Sequence, residues 1–142
     1  MFKITVAFLT TVLAVLQANA ETHTVTFTNN CGYGTPELWS QSGQLLSSGG
    51  AAYTTNGPAY DLIAYLQDGT CGQNGANCTV VDVTLANGDS SAEIFFVARE
   101  TEDPCVSFSF YNGCDGIGET CPTTSSPKTC AADNVDIEIT FC

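Results

Sequence analysis

Basic residues are almost missing from this chain of 142 residues: Lys and Arg together number 3, against 15 Asp and Glu, for a formal net charge of −12. Phosphate recognition needs a basic footprint, so no nucleic acid or other polyanion is an expected partner. Histidine occurs once, as His23. With one histidine and no C-x-x-C pair, the tight ligand pairs of structural zinc are missing, and disulfides are the expected use of cysteine. No G-x-S-x-G elbow accompanies His23, which reads as an exposed histidine at the end of a strand rather than a catalytic base. The acidic Gly-rich stretch Asp115-Gly116-Ile117-Gly118-Glu119 lacks the alternating oxygen ligands of a calcium loop and reads as a solvated turn. Beyond the first twenty residues no apolar run is long enough to span a bilayer, and no hydrophobic tail offers a lipid anchor, so no membrane partner is expected. No metal or cofactor is implied. There is no internal repeat and no linker dividing two cores.

The N-terminus is distinctive. Lys3 precedes an apolar run over residues 4–16, and Ala18-Asn19-Ala20 forms an A-x-A cleavage site before Glu21. This is the pattern of a secretory signal peptide over 1–20, leaving residues 21–142 as a single domain of a secreted, extracellular protein. All 8 cysteines follow the leader. An even number in a secreted chain implies four disulfides. The remaining chain is long enough for a real core, so the bridges reinforce the fold rather than replace the core. The acidity favours solubility outside the cell, or an acidic face that meets a cationic or hydroxyl-rich partner.

The two ends are the clearest strands. Residues 22–34 read THTVTFTNNCGYG, with Val25 and Phe27 alternating with threonines. Residues 134–142 read NVDIEITFC, with Val135, Ile137, Ile139 and Phe141 alternating with Asp136, Glu138 and Thr140. Such alternation marks strands with one face on a core and one in water. If the two lie side by side, a Cys31–Cys142 bridge closes a ring of nearly the whole secreted chain, which the chain-entropy estimate puts at roughly 4–5 kcal/mol of stabilisation.

Between the ends, residues 37–39 read as a short strand and Ser42-Gly43-Gln44 as a turn into residues 44–46. Asn56-Gly57-Pro58 is a breaker. Residues 60–67 (YDLIAYLQ) are apolar in both parities and fit a central strand in these turn-dense surroundings. Residues 79–85 alternate again, and Asn87-Gly88-Asp89 turns them into a strand over 92–97. An acidic loop at 100–104, a strand at 106–111 and an aperiodic, cysteine-held loop from 112 to 133 complete the chain. Short strands separated by Gly and Asn turns predict an all-β sandwich with little helix. Local pairing of Cys71 with Cys78 is the economical choice. Asn77-Cys78-Thr79 is an N-glycosylation sequon whose central cysteine lowers its expected occupancy.

The opening strand–Asn–Cys, the terminal Ile-Thr-Phe-Cys and the Tyr-Asn-Gly-Cys segment at 111–114 resemble the thaumatin-like proteins, in particular the small cysteine-rich members secreted by fungi. The resemblance implies a disulfide-stapled antiparallel β-sandwich of thaumatin type, lacking the cysteine-rich second domain of larger members. It implies pairing of the first and last cysteines, Cys31 with Cys142. Eight cysteines allow 105 connectivities, and the family pattern matches Cys114 with Cys130, leaving Cys105 with Cys121.

The resemblance also implies a function: binding of cell-wall β-glucan or a similar polysaccharide without catalysis, in defence, wall remodelling or host interaction, by a monomer. Some larger members are described as weak β-1,3-glucanases with an acidic cleft that uses an arginine. Here Glu93 best resembles a cleft acid, Asp82 lies across the hairpin from it, and Arg99 is the arginine available. Hydrolysis needs two carboxyls roughly 5–10 Å apart, one with a raised pKa. Trp39 and Tyr53, in turn-rich segments, are the aromatics expected to stack on sugar rings. A third reading is an effector, elicitor or hydrolase inhibitor that binds an extracellular protein through an apolar or loop-built patch.

Overall fold

The computed structural model describes residues 20–95 and 104–142. The leader expected over 1–20 (save its last residue), the end of the strand expected over 92–97, most of the acidic loop and the candidate Arg99 fall outside them. The described strands are β1 (Thr22–Asn29), β2 (Thr35–Trp39), β3 (Leu45–Ser48), β4 (Tyr53–Asn56), β5 (Ala59–Gln67), β6 (Val80–Leu85), β7 (Ser90–Phe95), β8 (Val106–Tyr111), β9 (Gly118–Thr120), β10 (Lys128–Cys130) and β11 (Asp136–Phe141). A single 3-10 turn at Gln73–Gly75 is the only helical element among the described residues. Two sheets pack face to face. One has five strands in the order β4-β1-β11-β8-β9, and the other has six in the order β10-β7-β6-β5-β2-β3.

The ends of the chain meet in the five-stranded sheet. β1 and β11 run parallel, with Val25 opposite Ile137 and Phe27 opposite Ile139. Parallel alignment brings both carboxyl ends to the same edge, and Cys31 is bridged to Cys142 with the Cα atoms 5.0 Å apart. The other bridges join Cys71 to Cys78, Cys105 to Cys121 and Cys114 to Cys130. No cysteine is free.

The core is the expected consequence of period-2 strands. β8 and β11 alternate buried and half-buried along their whole length. Their inner residues Phe108, Phe110, Ile137, Ile139 and Phe141 meet Leu38, Leu62, Val81, Val83 and Ile94 of the other sheet. Phe108 and Phe110 sit edge to face at 6.1 Å. The Asn87-Gly88 turn joins β6 to β7 as expected, with Gly88 at φ +79°. There the buried Ser90 hydroxyl donates to the Ala86 carbonyl and accepts the Ala86 N–H, both at 3.0 Å.

Two sequence expectations need correction. The stretch from 112 to 133 is not all loop, since β9 pairs with β8 and β10 pairs with β7. Each is only three residues long, too short to show a period. His23 is not exposed: it is fully buried, because β4 pairs along one side of β1 and places Thr55 opposite it. Its Nδ1 donates to the Val135 carbonyl at 2.6 Å, and its Nε2 lies 3.0 Å from Glu21 Oε1.

Glu21 thereby becomes a junction. Its carboxylate also accepts the Asn87 N–H at 2.6 Å, while Asn87 Oδ1 accepts the Asn134 N–H at 2.6 Å. The β6–β7 turn is thus tied to the start of β1 and to the segment before β11. The hydrogen bond from His23, reinforced by that from the Asn87 N–H, holds the Glu21 carboxyl below its ordinary value. A carboxyl lowered by folding contributes stability above its unfolded pKa, and this is lost as pH falls through the folded value. Glu21→Gln is therefore expected to flatten the acid limb of a plot of melting temperature against pH. An unchanged acid limb would remove Glu21 from that role.

Candidate functional site

The inner faces of both sheets are consumed by the core, so recognition chemistry has to sit on an outer face or in loops. On the outer face of the six-stranded sheet, register places five residues in one line. Glu93 lies opposite Asp82, Asp82 opposite Ile63, Ile63 opposite Trp39, and Trp39 opposite Leu45. The line crosses β7, β6, β5, β2 and β3, a distance of about 19 Å at the usual spacing between strands. Carboxylates occupy one end and apolar side chains the other.

At the acidic end, Asp82 and Glu93 are direct cross-strand neighbours, which puts their Cβ atoms about 4.5–5.5 Å apart. A register shift in β5 between Ala59 and Leu62 adds the exposed Asp61, at φ +50°, whose N–H donates to Thr84 Oγ1 at 3.2 Å. Burial pushes the Asp82 carboxyl up, and the negative charges of Asp61 and Glu93 push it further. Lys128, the one lysine among the described residues, is held elsewhere, 2.8 Å from Glu119.

An acid whose pKa is raised by folding weakens the fold as pH climbs through the folded value. Asp82→Asn is accordingly expected to raise the melting temperature at neutral pH, with the gain shrinking as pH falls through the raised folded value toward that of an ordinary aspartate. Solvent screening keeps the effect within about 1 kcal/mol. A lower melting temperature at pH 7 would contradict this reading.

Asp82, Glu93, Ser91, Ala92, Phe95 and Pro127 line a depression of about 220 Å³. That is smaller than pockets that engulf a small molecule, roughly 300–1,000 Å³. The depression suits one ring or one side chain resting on the sheet. Pro127 precedes β10, so the cysteine-held segment supplies a low wall at this end.

At the apolar end, Trp39 is half-buried and its Nε1 donates to Glu37 Oε2 at 2.9 Å. Glu37 lies opposite Tyr65. Burial, then the Glu37 charge, pushes the Tyr65 hydroxyl up to about 12. Tyr65 is on the outer face yet only 1% exposed, because the loop closed by Cys71–Cys78 lies over it. Gly75 makes that seating possible. It sits at φ +73°, and a Cβ there would come within 2.3 Å of Val80 Cγ1 and 2.9 Å of Tyr65 Cδ1.

The sequon lies on this same loop, with Asn77 exposed while Cys78 and Thr79 are buried. Asp68, Cys71 and Cys78 converge there with ligand-type atoms within 4.8 Å of one another. Both sulfurs belong to one disulfide, which leaves no thiolate for a metal.

Of the residues singled out from sequence, Asp82, Glu93 and Trp39 share this outer face. Tyr53 does not join them. It begins β4 in the other sheet, opposite Val25, and packs against the core. Trp39 ends β2, in line with the short strand expected over 37–39, and Tyr53 opens β4. Sequence reasoning missed Glu37, Ile63 and Leu45 as parts of the site. The i, i+2 spacing of Glu37 and Trp39 in a strand was the available signal, since it sets both on one face.

Comparisons with protein-family models, with curated proteins and with solved structures find no match to this chain.

Proposed function

We propose that this protein is a secreted β-sandwich of thaumatin type that binds a hydroxyl-rich cell-wall polysaccharide, of β-glucan type, along the outer face of the six-stranded sheet. The observation behind this reading is the line Glu93–Asp82–Ile63–Trp39–Leu45. An indole and aliphatic side chains offer stacking for the apolar faces of sugar rings, and carboxylates accept their hydroxyls. The open shape suits a polymer lying on the surface rather than a small molecule enclosed in a pocket. Support for the thaumatin type comes from the bridge between Cys31 and Cys142 at the ends of the paired outermost strands of the chain.

The test is retention of the secreted, oxidised protein on insoluble β-1,3-glucan, chitin and cellulose, with the supernatant assayed for released sugar. Retention on glucan without release is the expected result. Absence of retention on every polymer would overturn the proposal in favour of an extracellular protein partner.

A second reading, weak glucan hydrolysis, is favoured by one observation: Asp82 lies directly opposite Glu93, in surroundings whose burial and negative charge raise its carboxyl. A pair of unequal carboxyls is what glycoside hydrolysis uses, one as acid and the other as nucleophile or base. In this arrangement Asp82 is the proton donor and Glu93 the nucleophile or base. Sugar release abolished by both Asp82→Asn and Glu93→Gln would establish it.

A further inference from the structure

Trp39 is held by its polar edge. An exposed or half-buried indole on a flat sheet ordinarily has two χ angles to explore, and a stacking platform that wanders binds weakly because it must be ordered by the ligand. Here three observations remove that freedom. The indole Nε1 donates to Glu37 Oε2 at 2.9 Å, within the same strand. Glu37 lies directly opposite Tyr65, whose hydroxyl is pushed up by burial and in part by the Glu37 charge. Tyr65 is in turn immobilised under the Cys71–Cys78 loop, where Gly75 allows backbone to approach the ring.

We infer that Glu37 and Tyr65 are positioning residues for Trp39: the carboxylate, faced across the strands by the buried tyrosine, holds the N–H edge of the indole and keeps its apolar surface for a ligand. The inference rests on the polysaccharide reading for the identity of that ligand, but the hold on Trp39 stands by itself. It has a consequence for specificity. With its only donor occupied, the indole recognises by stacking, which selects sugars that present an unbroken apolar ring face, such as β-linked glucose units with equatorial hydroxyls. Hydrogen-bond selection is left to the carboxylate end of the line.

Tryptophan occurs once in the chain, so intrinsic fluorescence reports this site alone. The experiment compares wild type with Glu37→Ala, Glu37→Gln and Tyr65→Phe in the oxidised protein, reading emission maximum, anisotropy and retention on insoluble β-1,3-glucan. Glu37→Ala is expected to shift emission to longer wavelength, lower the anisotropy and weaken retention about five- to tenfold, the scale of one ordinary hydrogen bond lost. Glu37→Gln keeps an acceptor for Nε1 and is expected to restore most of the emission and the retention. Tyr65→Phe, which removes one hydroxyl and preserves the ring, is expected to fall between them. A merely structural role would lower the melting temperature without moving the Trp39 signal.

Unchanged emission and anisotropy in both Glu37→Ala and Tyr65→Phe would overturn the inference. A shifted Trp39 signal in variants of a wild type that no polymer retains would uphold the hold on Trp39 and overturn the polysaccharide reading, so the two failures are distinguishable.

Discussion

Replacing Cys31 and Cys142 together by serine is expected to lower the melting temperature by on the order of 10–20 °C, the largest stability effect of any single bridge. The two cysteines are 111 residues apart in sequence, against separations of 7, 16 and 16 for the other bridges. Loop-closure entropy grows with the length of the ring, so this bridge restricts the unfolded chain most, by about 4–5 kcal/mol in the chain-entropy model. The folded state loses a second support. β1 pairs with β11 in parallel, a non-local contact that the chain must close through its whole length. Thermal unfolding of the double variant beside a Cys71→Ser/Cys78→Ser variant checks the ranking. A smaller loss for the long ring than for the short one would refute the entropic explanation.

Trp39→Ala is expected to weaken retention on β-1,3-glucan by about thirty-fold or more, the cost typical of truncating a central aromatic anchor. Its removal leaves Ile63 and Leu45 as the only side chains of the line able to pack on a ring, and neither offers a flat face. Because the indole lies on the outer surface of the sheet, the fold is expected to survive, with a modest drop in melting temperature. Asp82→Asn or Glu93→Gln should weaken retention much less, since each removes one hydrogen-bonding group that water can replace. Retention unaffected by Trp39→Ala would move the binding surface away from this face.

Several features were legible before any coordinates. Alternation in residues 106–111 and 136–141 assigned inner and outer faces, and each inner residue there is buried. Asn87-Gly88 between two alternating runs specified the β6–β7 hairpin, and with it the juxtaposition of Asp82 and Glu93, because a short turn fixes register locally. Residues 60–67, ambiguous in parity, form the central strand β5, whose outer face is roofed at Tyr65 by the Cys71–Cys78 loop. That roof explains why the strand is apolar on both sides.

Other features depended on contacts between segments distant in sequence. His23 reads as polar at a strand end, and only β4 at its side and the Val135 carbonyl beneath it make it a buried, doubly hydrogen-bonded ring. Tyr53 and Trp39 look alike in sequence, yet β4 crosses to pair with β1 while β2 pairs with β5, so the two aromatics part company.

The sequence by itself determined local periodicity, turn positions and the cysteine inventory, because these follow from steric and hydrophobic preferences within a few residues. Tertiary structure alone decided the order β10-β7-β6-β5-β2-β3, and that order assembled Glu93, Asp82, Ile63, Trp39 and Leu45 into a line. Strand order is set by the summed burial of both sheets and the closure of long loops, quantities that belong to the whole chain and to no segment of it.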